Sequence, residues 1–111
     1  MNDLALAKRY ISLSHSAASR GIEFELSLTA FRNLMKAKKC YYLGIPLNSK
    51  HKDPNQLTVD RVNSSKGYVD GNCVACSHLA NQFKSLWEQG TVSIDQAEKI
   101  IRKTKKFKKN P

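Results

Sequence analysis

The chain has 111 residues, enough for one domain with its own core and too few for two. Nineteen Lys and Arg against nine Asp and Glu give a net charge of +10, which favours a polyanionic partner such as nucleic acid. The absence of a long apolar run and of signal-peptide features predicts a cytoplasmic protein with no membrane partner. Three cysteines, an odd number in a reducing compartment, argue against a disulfide scaffold.

The positive charge is concentrated near the end of the sequence. The remaining twelve basic and nine acidic residues leave a net charge of only +3. We expect the basic segment to bind phosphates, and the alternative is a solvated segment that aids solubility. Its members, with no acid among them, are Lys99, Arg102, Lys103, Lys105, Lys106, Lys108 and Lys109.

The first third of the chain has the apolar spacing of two helices. Residues 3–19 predict the first helix, which we expect to end at Gly21. Ser27 or Thr29 can cap the second helix, whose apolar face includes Phe31.

The segment LTVDRV (57–62) is the clearest predicted strand, within a stretch of turns and short strands from 40 to 72. Alternation places Asp60 on one face and Arg61 on the other, so a regular strand keeps the two side chains out of a common site.

The region after Asn72 predicts a strand end that turns into a helix, followed by a last helix. A capping box, Ser93-Ile-Asp-Gln96, marks the start of the last helix. Apolar residues at helical spacing are expected to be buried in both helices. They are Leu79, Phe83, Leu86 and Trp87 in the first, and Ala97, Ile100 and Ile101 in the second.

The strings CYYLGIPL (40–47) and LTVDRVNSSKGYVDGNCVACSHLANQFKS (57–85) resemble the HNH branch of the His-Me finger, or ββα-metal, endonucleases found in many bacteriophages. The resemblance implies an α+β fold and a single compact domain. A small ββα-metal core at 40–90 would be flanked by N-terminal helices at 1–39 and by a C-terminal helix and basic tail at 91–111.

The resemblance also implies roles for individual residues. Asp60 at the strand end and Asn81 on the helix would bind Mg²⁺ or another divalent cation, and Asn72 would hold the intervening loop. Together with Arg61, these are the candidate catalytic residues. Lys66 and Lys84 would face phosphates, as would Arg61 and the basic segment.

Arg61 departs from the family pattern, in which a histidine that deprotonates water usually follows this aspartate. Arginine stays protonated, so it can bind a phosphate but cannot act as the base. His78, three residues before Asn81, is the nearest substitute, and His51 is a weaker one.

The zinc site that braces many family members is degraded here. Its four ligand positions would be Cys40, Leu43, Ser77 and Ala80, so we expect apolar packing and no structural zinc. Tyr41 and Tyr42 are expected to pack the hairpin.

Three functions remain open. The first is a metal-dependent DNA endonuclease or nickase with an atypical active site. The second is a catalytically degenerate HNH-like fold that acts as a DNA-binding module, and the third is a phage effector that binds a host protein. Double-stranded DNA is the expected partner in the first two, and the cytoplasm of a bacterial host is the expected compartment.

Overall fold

The computed structural model describes residues 1–107 and forms an α+β fold of four helices and one two-stranded antiparallel sheet in that range. Lys108 and Lys109, two members of the predicted phosphate-binding segment, lie outside the described residues. The elements in chain order are α1 (Asp3–Ser19), α2 (Leu28–Met35), β1 (Leu57–Arg61), β2 (Cys73–Ser77), α3 (His78–Glu88) and α4 (Ile94–Phe107).

Local capping explains where the helices begin. The Asn2 side chain accepts a hydrogen bond from the Ala5 N–H at the start of α1, and Ser27 caps α2 in the same way. Of the two predicted caps for α2, Ser27 is therefore confirmed. Ser93 and Gln96 form the predicted capping box of α4, with bonds of 3.1 and 2.9 Å in the two directions.

The two strands pair in a continuous register in which Asp60 faces Val74 and Arg61 faces Cys73. Because the register has no bulge, successive side chains alternate between the two faces of the sheet. We name them the aspartate face and the arginine face. Thr58, Asp60, Val74 and Cys76 lie on the aspartate face, and Leu57, Val59, Arg61, Cys73, Ala75 and Ser77 lie on the arginine face.

The main core joins the N-terminal helices to the arginine face. Phe31 of α2 is 2 % exposed, and Tyr10 of α1 meets it edge to face with ring centroids 5.3 Å apart. Val59 and Cys73 pack against this core from the sheet. Its buried members are Leu6, Ala17, Leu26, Phe31 and Tyr68.

A second, smaller core lies on the aspartate face. Cys40, Cys76 and Ala80 are buried together, with Ile45 and Leu47 packed beside them. This cluster connects the 40–47 segment and the first turn of α3 to β2.

The described chain divides into two compact units between Asn81 and Gln82, inside α3. The sequence predicted one compact domain with segment boundaries at 39/40 and 90/91. Two packing predictions in this region are wrong. Leu79, Phe83 and Leu86 of α3 are 40–50 % exposed, and Ile100 and Ile101 of α4 are 62 % and 44 % exposed.

Within residues 1–107, no helix combines the length and the apolar character that crossing a bilayer requires. The coarse fold class, α+β, is as the sequence predicted, with four helices and a two-stranded antiparallel sheet in the described residues.

Candidate functional site

Asp60 is a buried carboxylate, only 5 % exposed, near the end of β1. The hydroxyl of Tyr42 donates a hydrogen bond of 2.6 Å to its Oδ2 atom. A charge-assisted bond of this length is among the stronger contacts that a neutral donor can make to a carboxylate. Burial without such partners would be costly, so this contact helps to keep a charged group inside the fold.

Asn81 reaches the same face of the sheet from α3. Its Nδ2 donates to the Thr58 hydroxyl at 3.3 Å, and that hydroxyl donates to the Cys76 carbonyl at 3.0 Å. Thr58 precedes Asp60 by two residues and so shares its face. The structure thus brings the two candidate metal ligands to one side of the sheet.

Arg61 lies on the opposite face. One guanidinium nitrogen donates to the carbonyls of Ser64 and Lys66, each at 2.9 Å, and the guanidinium sits 5.4 Å from the ring centroid of Tyr68. The guanidinium therefore ties the loop after β1 to the main core. These bonds are made on the arginine face, as the alternation of a regular strand predicts.

Asn72 closes the same loop from its far end. Its amide group donates to the carbonyls of Asn63 and Gly67 at 3.1 and 2.9 Å, and its oxygen accepts from the Asn63 N–H at 3.0 Å. The residue is 8 % exposed, and all three bonds stay inside the protein. Asn72 therefore has a structural role: it holds the loop after β1, which is the role that the family resemblance implied.

The predicted phosphate-binding lysines differ in their surroundings. Lys66 is exposed on the loop after β1. Lys84 forms an ion pair with Glu88 at 3.3 Å, and its side chain is only 12 % exposed. In α4, the described members of the basic segment are all exposed, namely Lys99, Arg102, Lys103, Lys105 and Lys106.

The three histidines of the chain, of which His78 and His51 were the candidate bases, are dispersed. His78 begins α3 and is half-buried, and its backbone N–H donates to the Gln56 carbonyl at 2.9 Å. His51 and His15 are exposed, in the loop before β1 and in α1. Within residues 1–107, no group of three or more His, Cys, Asp or Glu side chains is placed to hold a metal.

The four positions that the family resemblance assigns to a zinc site lie in or beside the smaller core. The Cys40 sulfur accepts hydrogen bonds from the N–H groups of Ser77 and Leu43, at 3.3 and 3.4 Å. Burial raises the pKa of this thiol, but the N–H donors outweigh it and the net pKa lies below the ordinary value. Ala80 is buried against Cys40, whereas Leu43 is 50 % exposed, so the expected apolar packing is present at Ala80 and wrong for Leu43.

Cys73 has the opposite electrostatic environment. Burial raises the pKa of its thiol to about 11, and the nearby carboxylates of Asp70 and Asp60 add to this rise. A hydrogen bond with the Val69 backbone and the positive charge of Arg61 both lower the pKa, but by less than burial raises it. Cys73 is therefore a neutral, partly buried side chain on the arginine face.

The sequence did not identify Tyr42 or Thr58 as members of this site. Alternation could have identified Thr58, because it lies two residues before Asp60 on the same strand. Tyr42 is 18 residues from Asp60, and no local pattern in CYYLG indicates which tyrosine faces the sheet.

Comparison with known proteins finds distant viral relatives. The chain is 27% identical over 85 residues to an uncharacterized 29.0 kDa protein in the dda-modA intergenic region of Enterobacteria phage T4, covering 76% of the chain and 34% of that protein. It is 31% identical over 78 residues to an uncharacterized protein of Acanthamoeba polyphaga mimivirus, covering 69% of the chain and 13% of that protein. No family model matches, and no solved structure matches significantly. The chain is therefore similar to segments of longer phage and viral proteins.

Proposed function

We propose that this chain is an HNH-like nucleic-acid-binding protein that acts as a metal-dependent DNA endonuclease or nickase. The observation that carries the proposal is the convergence of Asp60 and Asn81 on the aspartate face. Two strands and a helix, consecutive in sequence, produce this convergence, and that order is the one that a ββα-metal core would have.

The donor set fits a hard divalent cation. Mg²⁺ binds through one or two carboxylates with water and substrate phosphate oxygens in the other positions. Asp60 supplies a carboxylate. The Nδ2 atom of Asn81 donates to Thr58, so its amide oxygen is the atom that would bind a cation. A cation held there would neutralise charge on a phosphodiester and polarise its phosphorus toward attack by water.

The basic segment supports DNA as the substrate. Four exposed cations of α4 follow one another within two turns, with no acid among them. Such a segment binds the phosphate backbone without regard to sequence.

One observation favours a second candidate function, a DNA-binding module without catalysis. Arg61 occupies the position where the family carries its base, and its side chain lies on the face away from Asp60. A chain with this arrangement can keep the fold and its basic surface while cutting slowly or not at all.

Nicking of supercoiled plasmid tests both candidates. Wild type, Asp60→Asn and Asn81→Ala are incubated with Mg²⁺, Mn²⁺ or EDTA, and Asp3→Ala serves as the control because its carboxylate is 92% exposed. We expect metal-dependent nicking by wild type and by the Asp3 variant, and its loss in the other two. Gel retardation without nicking by any form would favour the second candidate, and neither nicking nor retardation would overturn both.

A further inference from the structure

The contact between Tyr42 and Asp60 has a geometry that a chance surface contact would not have. The donor is a phenol 36 % exposed, and the acceptor is a carboxylate 5 % exposed, at a distance of 2.6 Å. Part of the tyrosine therefore reaches solvent while its hydroxyl fixes one oxygen of the buried carboxylate.

The turn that carries Tyr42 is firmly held. The Cys40 N–H donates to the Ile45 carbonyl and the Gly44 N–H donates to the Cys40 carbonyl, both at 2.8 Å. The Tyr41 N–H donates to the Ala75 carbonyl of β2 at 2.9 Å. The turn is thus attached to β2, which also pairs with the strand that carries Asp60, so both partners of the contact are fixed to one sheet.

The adjacent ring restricts Tyr42 further. The rings of Tyr41 and Tyr42 meet edge to face, with centroids 5.1 Å apart and an angle of 85° between their planes. A tyrosine has few rotatable bonds, so a fixed backbone and a fixed ring leave its hydroxyl little freedom.

We propose that Tyr42 is a positioning residue that orients the Asp60 carboxylate for a divalent cation. The inference rests on the proposed function, because it needs a cation at Asp60. Hydrogen bonds to a ligating carboxylate fix its orientation, and removing them typically lowers metal affinity or activity about 10- to 100-fold. Tyr42 thereby adds a residue to the site on the 40–47 segment, which the sequence placed in a structural hairpin.

The test is a titration with Mn²⁺ alone, followed through the electron paramagnetic resonance signal of the unbound ion. The full chain is compared with Tyr42→Phe, Tyr41→Phe and Asp60→Asn. Tyr41→Phe is the matched control, since it makes the same substitution at the neighbouring tyrosine, which is 64 % exposed. We expect Tyr42→Phe to raise the Kd for Mn²⁺ at least about tenfold, whereas Tyr41→Phe leaves it unchanged.

Two further measurements separate positioning from a general loss of structure. The melting temperatures of Tyr42→Phe and Tyr41→Phe without metal are compared, and so are their nicking rates at saturating Mn²⁺. A positioning role predicts that saturating metal restores most of the nicking rate of Tyr42→Phe.

The titration distinguishes failure of the Tyr42 inference from failure of the proposed function. If wild type binds Mn²⁺ in a manner that Asp60→Asn abolishes, and Tyr42→Phe has the same Kd as Tyr41→Phe, Tyr42 has no positioning role and the proposed function stands. If wild type and Asp60→Asn titrate alike, no cation is held at Asp60, and both the inference and the endonuclease proposal are overturned.

Discussion

Asp60 and Arg61 are adjacent in β1, yet their side chains lie on opposite faces of the sheet. Asp60 accepts a bond from Tyr42 on one face, and Arg61 donates to two loop carbonyls beside Tyr68 on the other. The register between β1 and β2 continues through both residues. A side chain at position 61 therefore acts on the loop and the main core, whatever its acid–base chemistry.

Replacing Arg61 by histidine is consequently expected not to create a catalytic base. We expect Arg61→His to nick plasmid no faster than wild type. The loss of two charge-assisted bonds to the Ser64 and Lys66 carbonyls should lower the free energy of unfolding by about 1–3 kcal/mol. Plasmid nicking and urea denaturation measure the two effects. A clear gain in metal-dependent nicking by Arg61→His would show that the strand departs from this register in solution.

Asn72 is expected to be a major determinant of stability. Asn72→Ala removes three internal hydrogen bonds, at 2.9 to 3.1 Å, from a buried position. At roughly 1 kcal/mol for each bond, the free energy of unfolding should fall by about 3 kcal/mol. Asn33→Ala, at an exposed position in α2, is the control and should change it by less than about 0.5 kcal/mol. Equal effects in urea denaturation would contradict this role of Asn72.

Gly67 is expected to tolerate no side chain. A Cβ atom there would lie 2.5 Å from the Glu23 carbonyl oxygen, and Tyr68 donates its N–H to that same oxygen at 2.8 Å. Gly67→Ala should therefore lower the free energy of unfolding by about 3 kcal/mol. At Gly71, where φ is +87° and the space is open, alanine should cost only about 1 kcal/mol of backbone strain. The reverse order of the two melting temperatures would contradict the close approach at Gly67.

The cations of α4 are expected to set the salt dependence of DNA binding. Replacing four of them by glutamine should reduce the slope of log K against log salt by about 0.9 for each phosphate that is no longer neutralised. Replacing four exposed lysines elsewhere should reduce it less, although the change in net charge is the same. The slopes come from fluorescence anisotropy with a labelled duplex, and equal reductions would mean that total charge alone governs binding. The first set is Arg102, Lys103, Lys105 and Lys106, and the control set is Lys8, Lys36, Lys38 and Lys50.

Cys73 is expected to make stability fall at high pH. Burial raises the pKa of its thiol to about 11 in the folded chain, above its ordinary value of 9.0. The unfolded chain therefore loses this proton first, and the stability contributed by the neutral thiol is fully present below pH 9 and lost as the pH rises towards 11. The difference in free energy of unfolding between wild type and Cys73→Ala should accordingly shrink over this interval. A difference that stays constant from about pH 8 to about pH 10.5 would contradict it.

The sequence predicted the elements better than their packing. Helix starts depend on local capping, so Ser27 and the Ser93–Gln96 box were readable without knowledge of the tertiary fold. Burial depends on which partner a face meets. The apolar spacing of α3 and α4 predicted buried faces, but residues such as Phe83 and Ile100 are 47 % and 62 % exposed.

The candidate site was likewise predictable only in part. Strand alternation separated Asp60 from Arg61 correctly, because period two is a property of the strand itself. The contact of Tyr42 with Asp60 depends on how a turn docks on β2, which has no signature in either segment. The same limit applies to the bond between Asn81 and Thr58, which joins residues 23 positions apart.

The parallel bridge between Phe24 and Tyr68 also determines when the main core can be completed during synthesis of the chain. Tyr68 donates its N–H to the Glu23 carbonyl, and its own carbonyl accepts from the Glu25 N–H, each at 2.8 Å. Its ring is also one of the buried members of the core that the first two helices share. As a nascent chain leaves the ribosome, the N-terminal helices therefore lack a core member until residue 68 emerges, long after residue 24, its partner in the bridge. A fragment cut at residue 39 or begun at residue 40 would divide that core, so the segment 40–90 should not fold when it is excised.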